Sequence, residues 1–378
     1  MEGPRRRSLS ASSPRPVQFM DTGMAEKSRP ARTRRELFST IAKRLGDNQE
    51  ILERTGKPSL KQLKVFWLEV NPTFRPAPPT ERGWQQTDHQ FYLHGGMGKD
   101  GSGVVWLDTS VDRTWYVYTF EEREETDRII RTDLLSQRGV DRYWLAEPFL
   151  DRIQRDSGYS SRGFGFSFAG VLGGEDEADR PHLSAKFWLG IDVPEEHRKF
   201  LALAEKTFSK SSVRLGRKSK DPSFHGSGIL MEVYSQGITT ITTSEDVDET
   251  LSLVSTIGTR YTEELRKLEG ERERFPRPVE FRFNTPIKLD RLRQLLESGV
   301  GGPGLWMQRY ASDSGIHRYT GVDLHTHELL NLDVAEDYAY LVTSRKGCMN
   351  AAPRLMTISA EKMSGKTEMS YEGRPLFA

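Results

Sequence analysis

Three side chains that could bind a metal ion lie at alternate positions in the C-terminal part of the sequence, namely Asp323, His325 and His327. If this segment forms a β-strand, alternate residues point to one side, so one carboxylate and two imidazoles would converge. Carboxylate oxygens and imidazole nitrogens are common ligands of divalent metals, and His317 is a candidate for a fourth ligand. The pattern therefore indicates metal-assisted hydrolysis as one possible chemistry.

The Asp-x-His-x-His spacing is similar to the segment that opens metal-dependent phosphoesterase and amidohydrolase barrels. Such barrels need a long run of further strands and ligands downstream, whereas only 51 residues follow His327 and none of them is histidine. The resemblance thus implies at most a small local metal site. An exposed polar strand face is the alternative interpretation.

A second candidate site is the aromatic segment 162–168, in which Phe164, Phe166 and Phe168 would line one face of a strand. The segment resembles the RNP1 strand of RNA-recognition motifs, because its first five positions match that pattern while two later positions depart from it. The resemblance implies that Phe164 and Phe166, next to Arg162, stack on nucleic-acid bases. The alternative is that these rings pack beneath a helix as part of the core.

Residues 34–71 are predicted to form a small helical block. Apolar residues at helical spacing predict a helix that ends at Gly46, and a capping-box pattern at Asp47 and Glu50 predicts a second short helix. Residues 41–46 are similar to the first helix and turn of helix-turn-helix modules, which implies contact with a nucleic-acid backbone. Acidic residues on the second helix favour the alternative of a helical adaptor or dimerisation element. The candidate binding residues here are Arg32, Arg34, Arg35, Lys43 and Arg44.

The densest positive patch outside the N-terminal tail lies in a serine-rich segment, 209–223, which we predict to be a loop. Lysine and arginine side chains of this kind bind phosphates without regard to base sequence. A solvated charged surface is the alternative. The candidate binding residues in this segment are Arg214, Arg217 and Lys218.

The composition limits the classes of function. With 55 basic and 54 acidic residues the net charge is +1, which excludes a globally basic nucleic-acid binder and leaves only local patches. Cys348 is the only cysteine, so an intrachain disulfide and a cysteine-based zinc site are excluded, and a reducing compartment is indicated. No apolar run approaches the ~20 residues that span a bilayer. We therefore expect a cytoplasmic protein that has no membrane association and no cofactor.

The chain is too long for one ordinary domain. Strand pairs alternate with single amphipathic helices, which predicts an α+β fold with antiparallel or mixed sheets and helices on one face, in the manner of ferredoxin-like layers. The predicted parts are a disordered basic tail at 1–33, the helical block at 34–71, a linker with irregular loops at 72–103, an α+β domain at 104–270 and a second α+β domain at 271–378.

Together these patterns predict a non-enzymatic protein that binds nucleic acid, single-stranded or RNA, through its basic arm and its aromatic strand face. One alternative is an interaction or scaffold subunit. It would pair with a protein partner or with a second copy of itself through helix 247–268, whose apolar residues repeat at three- and four-residue spacing. The other alternative is a metal-dependent hydrolase around Asp323, His325 and His327.

Overall fold

The computed structural model describes residues 29–57, 59, 61–97, 103–168, 183–188, 195–219, 227–298, 304–345 and 347–377. These residues form seven α-helices and two antiparallel sheets, which confirms the predicted α+β class. Residues Ala31–Ala378 belong to one compact unit. The predicted boundary at residue 271 lies inside a helix, Val247–Arg274, and all strands of the smaller sheet come after it in the sequence.

The larger sheet has eleven strands in the order β2-β3-β4-β5-β1-β11-β10-β9-β7-β8, with β6 paired to β1. They are β1 (Leu63–Val70), β2 (Trp84–Asp88), β3 (Phe91–Met97), β4 (Gly103–Val111), β5 (Thr114–Thr119), β6 (Val140–Arg142), β7 (Ser160–Phe168), β8 (Leu183–Trp188), β9 (Lys210–Lys218), β10 (Ser227–Tyr234) and β11 (Ile238–Ser244). Strand β1 is central and buries apolar side chains on both faces, with Phe66 and Leu68 on one side and Val65 and Trp67 on the other.

The smaller sheet has seven strands in the order β13-β14-β15-β16-β12-β17-β18. They are β12 (Val279–Phe283), β13 (Leu305–Asp313), β14 (Ile316–Asp323), β15 (Leu329–Val334), β16 (Tyr338–Thr343), β17 (Thr367–Tyr371) and β18 (Arg374–Pro375). Its side chains alternate between a buried and an exposed face: Leu330 and Leu332 are buried, whereas Leu329 and Asn331 between them are exposed. One face of this sheet therefore belongs to the core, while the other meets solvent.

The helices are α1 (Arg34–Thr55), α2 (Arg123–Ile129), α3 (Glu147–Asp156), α4 (Glu195–Thr207), α5 (Val247–Arg274), α6 (Leu289–Ser298) and α7 (Ala351–Ser359). A π-helical turn continues α2 (Ile130–Leu134), and another continues α7 (Ala360–Ser364). Helix α1 begins after Thr33, whose hydroxyl accepts a hydrogen bond from the backbone N–H of Glu36, and it ends at Gly56 in the left-handed region at φ 67°.

Helix α5 lies between the two sheets and shares one apolar core with both of them. The indole of Trp67 in the larger sheet donates a hydrogen bond to the carbonyl of Val254 at 3.1 Å. Near the other end of α5, Arg272 donates to the hydroxyl of Thr343 in the smaller sheet at 2.6 Å. The apolar residues of α5 that are at most 2% exposed are Val254, Ile257, Tyr261, Leu265 and Leu268. The predicted pairing of helix 247–268 with a partner is therefore wrong, because its apolar face is already buried.

Several predicted elements also differ from the structure. Gly46 lies inside α1, so the turn of the helix-turn-helix comparison is absent from this described segment. The block predicted as helical contains strand β1, and the linker predicted at 72–103 contains β2 and β3. Most of the predicted basic loop forms β9. Residues 1–28, most of the predicted N-terminal tail, lie outside the described residues.

The predicted placement of helices on one face is wrong for the larger sheet. Residues Ile129 and Ile130, from α2 and its π-helical turn, pack in the apolar layer that contains Phe66. Helices α1, α3 and α5 pack on the opposite layer, which contains Trp67. Ferredoxin-like layering is therefore not confirmed. No helix among the described residues is both long enough and apolar enough to cross a bilayer.

Candidate metal centre

Three possible metal ligands of different chemistry meet at the junction of the two sheets. Glu69 comes from β1 of the larger sheet, His325 follows β14 of the smaller sheet, and Cys348 precedes α7. One ligand atom from each of the three lies within 4.8 Å of the other two. All three residues are buried, with exposed fractions of 0%, 5% and 2% in that order.

The position of Glu69 follows from strand alternation. It lies on the same face of β1 as Val65 and Trp67, which point toward α5 and the smaller sheet. A carboxylate at this place is surrounded by the core rather than by solvent. Burial raises the pKa of Glu69, and the charges of His325 and Arg113 offset part of that increase.

A tight turn after β14 directs His325 inward. The carboxylate of Asp323 accepts a hydrogen bond from the backbone N–H of His325 at 3.0 Å, and the carbonyl of Asp323 accepts one from the N–H of His327 at 2.6 Å. The carbonyl of His325 accepts a hydrogen bond from the N–H of Gly139 at 2.8 Å, which attaches the turn to the larger sheet. The imidazole of His325 therefore lies at the joint between the sheets.

Cys348 lies in the short loop that leads into α7. Its sulfur accepts a hydrogen bond from the backbone N–H of Asn350 at 3.4 Å. The next residue, Met349, donates its N–H to the carboxylate of Glu269 at 3.2 Å, which fixes the loop against α5. Burial raises the pKa of the Cys348 thiol well above its usual range, so the thiol needs a nearby cation in order to ionise.

Two ligand atoms of the centre lack hydrogen-bond partners in the part of the chain that the structure describes. Glu69 Oε2 lies 3.2 Å from His325 Nε2, but the pair does not have the geometry of a hydrogen bond. The second ring nitrogen of His325, Nδ1, is also buried without a partner among these residues. Buried polar atoms are almost always satisfied, so these atoms are candidate ligands for a bound group.

Arg113 holds the second oxygen of Glu69 and closes the centre on one side. Its Nε donates to Glu69 Oε1 at 3.0 Å, and its two terminal nitrogens donate to Glu269 at 2.6 and 2.7 Å. Nη2 lies 3.8 Å from the sulfur of Cys348. Burial alone would lower the pKa of Arg113, but the hydrogen bond to Glu269 and the charge of Glu69 raise it above its ordinary value. Arg113 therefore remains a cation that orients Glu69.

A second buried charged group, centred on Arg354 of α7, lies next to these ligands. Arg354 donates to Asp141 of β6 at 2.7 Å and to Asp323 of β14 at 2.5 Å. Asn350 donates to the same oxygen of Asp141 at 2.7 Å. A side chain at position 304 would crowd this guanidinium, since a Cβ there would lie 3.0 Å from Arg354 Nη1, and Gly304 leaves the space open. The group ties both sheets to α7.

The structure separates the metal ligands that the Asp-x-His-x-His pattern predicts. Residues 324–326 form a turn instead of a strand, so alternation does not apply to them. His327 is exposed, with φ at +58°, and the carboxylate of Asp323 is engaged by Arg354. His317 lies six residues before Asp323 along the extended β14, which places it about 20 Å away. Only His325 joins the candidate centre.

The aromatic residues predicted to stack on bases are buried. Phe164 and Phe166 are each 5% exposed and pack against Leu201 and Ala204 of α4. The ring of Phe166 also stacks on Phe208 at a centroid distance of 4.8 Å. Base stacking on these two rings is therefore blocked in this conformation, because a helix occupies the face that a base would need.

Two of the basic residues predicted to bind phosphates from α1 are engaged within the fold. Arg34 donates two hydrogen bonds to Asp108, at 2.5 and 2.7 Å, and Arg44 lies over the ring of Phe120 at 4.7 Å. Arg32 is half-buried, whereas Arg35 and Lys43 are exposed.

The basic residues of β7 and β9 are mostly engaged within the fold. Arg217 forms an ion pair with Glu249. Burial lowers the pKa of Arg214 to about 10, and Arg162 lies half-buried across the backbone of Gly216. Lys218 is exposed at the end of β9. The structure thus leaves fewer available positive charges here than the sequence pattern indicates.

Sequence reasoning overlooked Glu69, Arg113 and the ligand role of Cys348. One signal was present, since Glu69 is the only charged residue in the apolar run from Val65 to Val70. A charge in such a run predicts either an edge of the element or a buried partner. The single cysteine excludes a site built on several cysteines, but it does not exclude a site of mixed ligands.

Comparison with known proteins places the chain in one family. A family model described as MJECL33-like protein matches residues 25–371, so the chain belongs to the MJECL33-like family. No curated protein matches the chain, and no solved structure does.

Proposed function

We propose that this protein binds one divalent transition-metal ion through Glu69, His325 and Cys348, and that the ion stabilises the junction of its two sheets. The observation that carries the proposal is the close approach of two buried ligand atoms, Glu69 Oε2 and His325 Nε2, which lie 3.2 Å apart without the geometry of a hydrogen bond. Two ligands of one tetrahedral zinc ion, with bonds of about 2.0 to 2.3 Å, lie roughly 3.3 to 3.6 Å apart. The observed separation is close to that range.

The donor set favours zinc or a similar ion. One oxygen, one nitrogen and one sulfur donor suit a borderline-soft metal, whereas calcium and magnesium prefer oxygen ligands alone. Three protein ligands leave a fourth position, which a water molecule would fill. Arg113 would act on the metal indirectly, by holding Glu69 Oε1 and so directing Oε2 to the ion.

The local charge also favours a dication. The carboxylates around the centre are those of Glu69, Asp141, Glu269 and Asp323, and the buried guanidiniums are those of Arg113, Arg272 and Arg354. With His325 neutral and the Cys348 thiol protonated, this set carries an excess of one negative charge, and loss of the thiol proton on metal binding would bring that excess to two. Buried charges are costly unless they are paired, and one divalent ion would neutralise the excess.

A structural role fits this centre better than hydrolysis. Catalytic zinc sites keep a position open to substrate, whereas the three ligands here are at most 5% exposed. His327 and His317, which a hydrolase site of the sequence motif would need, lie elsewhere. Binding of nucleic acid stays a prediction, and it lacks the aromatic contacts on which it depended.

Metal analysis of the purified full-length protein tests the proposal. Protein purified without chelator should contain about one equivalent of zinc, and cobalt replacement should give the charge-transfer absorption of a cobalt–thiolate bond. Cys348→Ser should abolish that absorption and lower the metal content. His327→Ala is the matched control, since it removes a histidine of the sequence motif that lies outside the centre.

Removal of the metal should also lower stability. An ion present at ~1,000 times its dissociation constant stabilises the folded state by about 4 kcal/mol, and a chelator should remove that contribution. Thermal unfolding with and without chelator measures it. A metal-free protein whose unfolding temperature does not respond to zinc, cobalt or chelator would refute the proposal and leave Glu69 and His325 as a simple ion pair.

A further inference from the structure

The outer face of the smaller sheet carries a cluster of large apolar side chains that the core does not use. Nine large hydrophobic residues are exposed in the described part of the chain, and five of them lie on β13, β15 and β16. We call the four that share this face the outer patch: Trp306 (47% exposed), Leu329 (68%), Tyr340 (36%) and Val342 (45%). Single exposed hydrophobic residues are ordinary, but clusters of them mark contact surfaces.

Strand pairing shows that the outer patch is continuous. Trp306 lies opposite Val322, and Val322 lies opposite Leu329, so these three form one row across β13, β14 and β15. Val342 of β16 lies opposite Asn331, two residues from Leu329 on the same face. Four neighbouring strands at about 4.8 Å spacing make this surface roughly 15 Å wide.

The opposite side of the same strands is fully used by the core. Leu305, Met307, Tyr319, Leu332 and Leu341 are at most 1% exposed. The stability of the sheet does not explain why the outer patch is apolar, because its inner face already contributes the burial that an antiparallel sheet needs.

The charges next to the outer patch are of both signs. Arg318 lies opposite Asp333 with their charged atoms 3.8 Å apart, and Arg282 lies near Glu280 at 3.4 Å. Side-chain exposure of Arg318 and Asp333 is 38% and 43%, so both can reach a partner. A nucleic-acid surface would require an excess of positive charge, which this face lacks.

We propose that the outer patch is a two-fold interface with a second copy of this chain. In such an interface each residue meets the partner's copy of another residue, so a surface must complement itself in shape and in charge. Adjacent Arg318 and Asp333 meet this condition when the two-fold axis lies in the interface midway between them, since rotation then places the guanidinium of each copy opposite the carboxylate of the other. The apolar rows would pack face to face at the ~10 Å separation of aligned sheets. This interface does not depend on the metal centre.

Light scattering of the full-length protein over a range of concentrations tests the interface. The wild type should be a dimer at micromolar concentration. Leu329→Arg places a charge in the middle of the outer patch twice per dimer, so it should raise the dissociation constant by at least about 30-fold. The matched control is Leu203→Arg on α4, where a leucine is 61% exposed at a distant place in the sequence. This control should remain a dimer.

Two results would overturn the interface. One is a wild-type protein that stays monomeric at the highest concentration examined. The other is dissociation by Leu203→Arg to the same extent as by Leu329→Arg. Circular dichroism of each variant separates dissociation from unfolding. If the wild type is monomeric but binds oligodeoxythymidine, and Leu329→Arg abolishes that binding, the surface recognises nucleic acid and the proposed dimer is also refuted.

Discussion

Replacement of Arg354 by methionine tests whether buried charge holds the two sheets and α7 together. The guanidinium is 2% exposed and donates to Asp141 at 2.7 Å and to Asp323 at 2.5 Å. Removing one member of a buried ion pair costs about 3 to 5 kcal/mol, because the remaining charge loses its partner. Here two carboxylates lose the same partner. Asp141 retains the hydrogen bond from Asn350, and Asp323 retains the one from the backbone N–H of His325. We therefore expect the free energy of unfolding to fall by ~4 kcal/mol.

Urea unfolding, followed by tryptophan fluorescence, measures this loss. With an m value of about 3 kcal/mol per molar urea, the midpoint of Arg354→Met should fall by roughly 1.3 M. Arg282→Met is the control, because its ion pair with Glu280 involves a side chain that is 71% exposed, and its effect should stay within about 0.5 kcal/mol.

A triple variant separates lost packing from uncompensated charge. Arg354→Met combined with Asp141→Asn and Asp323→Asn leaves no unpaired carboxylate in the group, so it should recover at least half of the loss. If Arg354→Met alone changes the free energy of unfolding by less than about 1 kcal/mol, the argument that this group joins the sheets is wrong.

Four further substitutions test the packing of the core and the pH dependence of stability. Phe166→Ala removes a ring that is 5% exposed, so it should lower the free energy of unfolding by about 3 to 5 kcal/mol, measured by thermal unfolding. An unchanged unfolding temperature together with lost nucleic-acid binding would contradict the place of Phe166 in the core. Gly258→Ala should destabilise by about 1 to 3 kcal/mol, because the new Cβ would lie 2.7 Å from the hydroxyl of Tyr116. Gly270→Ala in the same helix meets no atom within 4 Å and should stabilise by ~0.5 to 1 kcal/mol, and equal effects at both glycines would refute the packing argument. Burial lowers the pKa of His94 below 6.5, so the unfolded chain takes up a proton first and stability should fall as the pH drops through about 6.5. His94→Gln should therefore flatten the pH dependence of the free energy of urea unfolding between about pH 7 and 5. An unchanged slope would contradict this.

Elements with clear periodicity could be predicted from the sequence. The apolar spacing of 247–268 corresponds to α5, whose buried positions include Val254, Tyr261, Leu265 and Leu268. The alternation of apolar and charged residues at 279–283 corresponds to β12. In both cases one face is apolar and the other polar, so the period of the pattern is visible in the sequence itself.

Elements buried on both faces could not be predicted in this way. Strand β1 is apolar at nearly every position, because Phe66 packs on one side of the sheet and Trp67 on the other, so neither helical nor strand alternation appears. Strand β9 was not predicted for the opposite reason, namely that its sequence is too polar. Its lysine and arginine residues are typical of a loop. In the structure, however, Arg217 forms an ion pair with Glu249, and Val213 and Leu215 are buried, so the segment is held inside the sheet.

The candidate metal centre was beyond local reasoning, because its ligands come from three distant parts of the chain. The remaining strands of the larger sheet, and also α5, lie between Glu69 and His325 in the sequence. The two side chains therefore meet only when the two sheets pack together. The histidine pattern at 323–327 includes one residue of the candidate centre, His325, but the local structure that it assumed is wrong. It assumed a strand, whereas the hydrogen bond from the N–H of His325 to Asp323 makes a turn that directs only one imidazole inward.

The buried charges at the junction of the two sheets supply a directional interaction that apolar packing alone does not provide. Apolar burial is non-directional. Two sheets joined only by apolar contacts around α5 could therefore pack in several relative orientations of similar free energy. An unpaired buried charge is far more costly than a small loss of packing, so Arg354 between Asp141 and Asp323 penalises every arrangement except the one that satisfies both carboxylates. Glu69 and His325 add the same requirement from opposite sheets. A metal ion bound there would raise the cost of misalignment further, because coordination has fixed distances and angles. The buried charges therefore bear on which arrangement of the two sheets forms as well as on how stable it is.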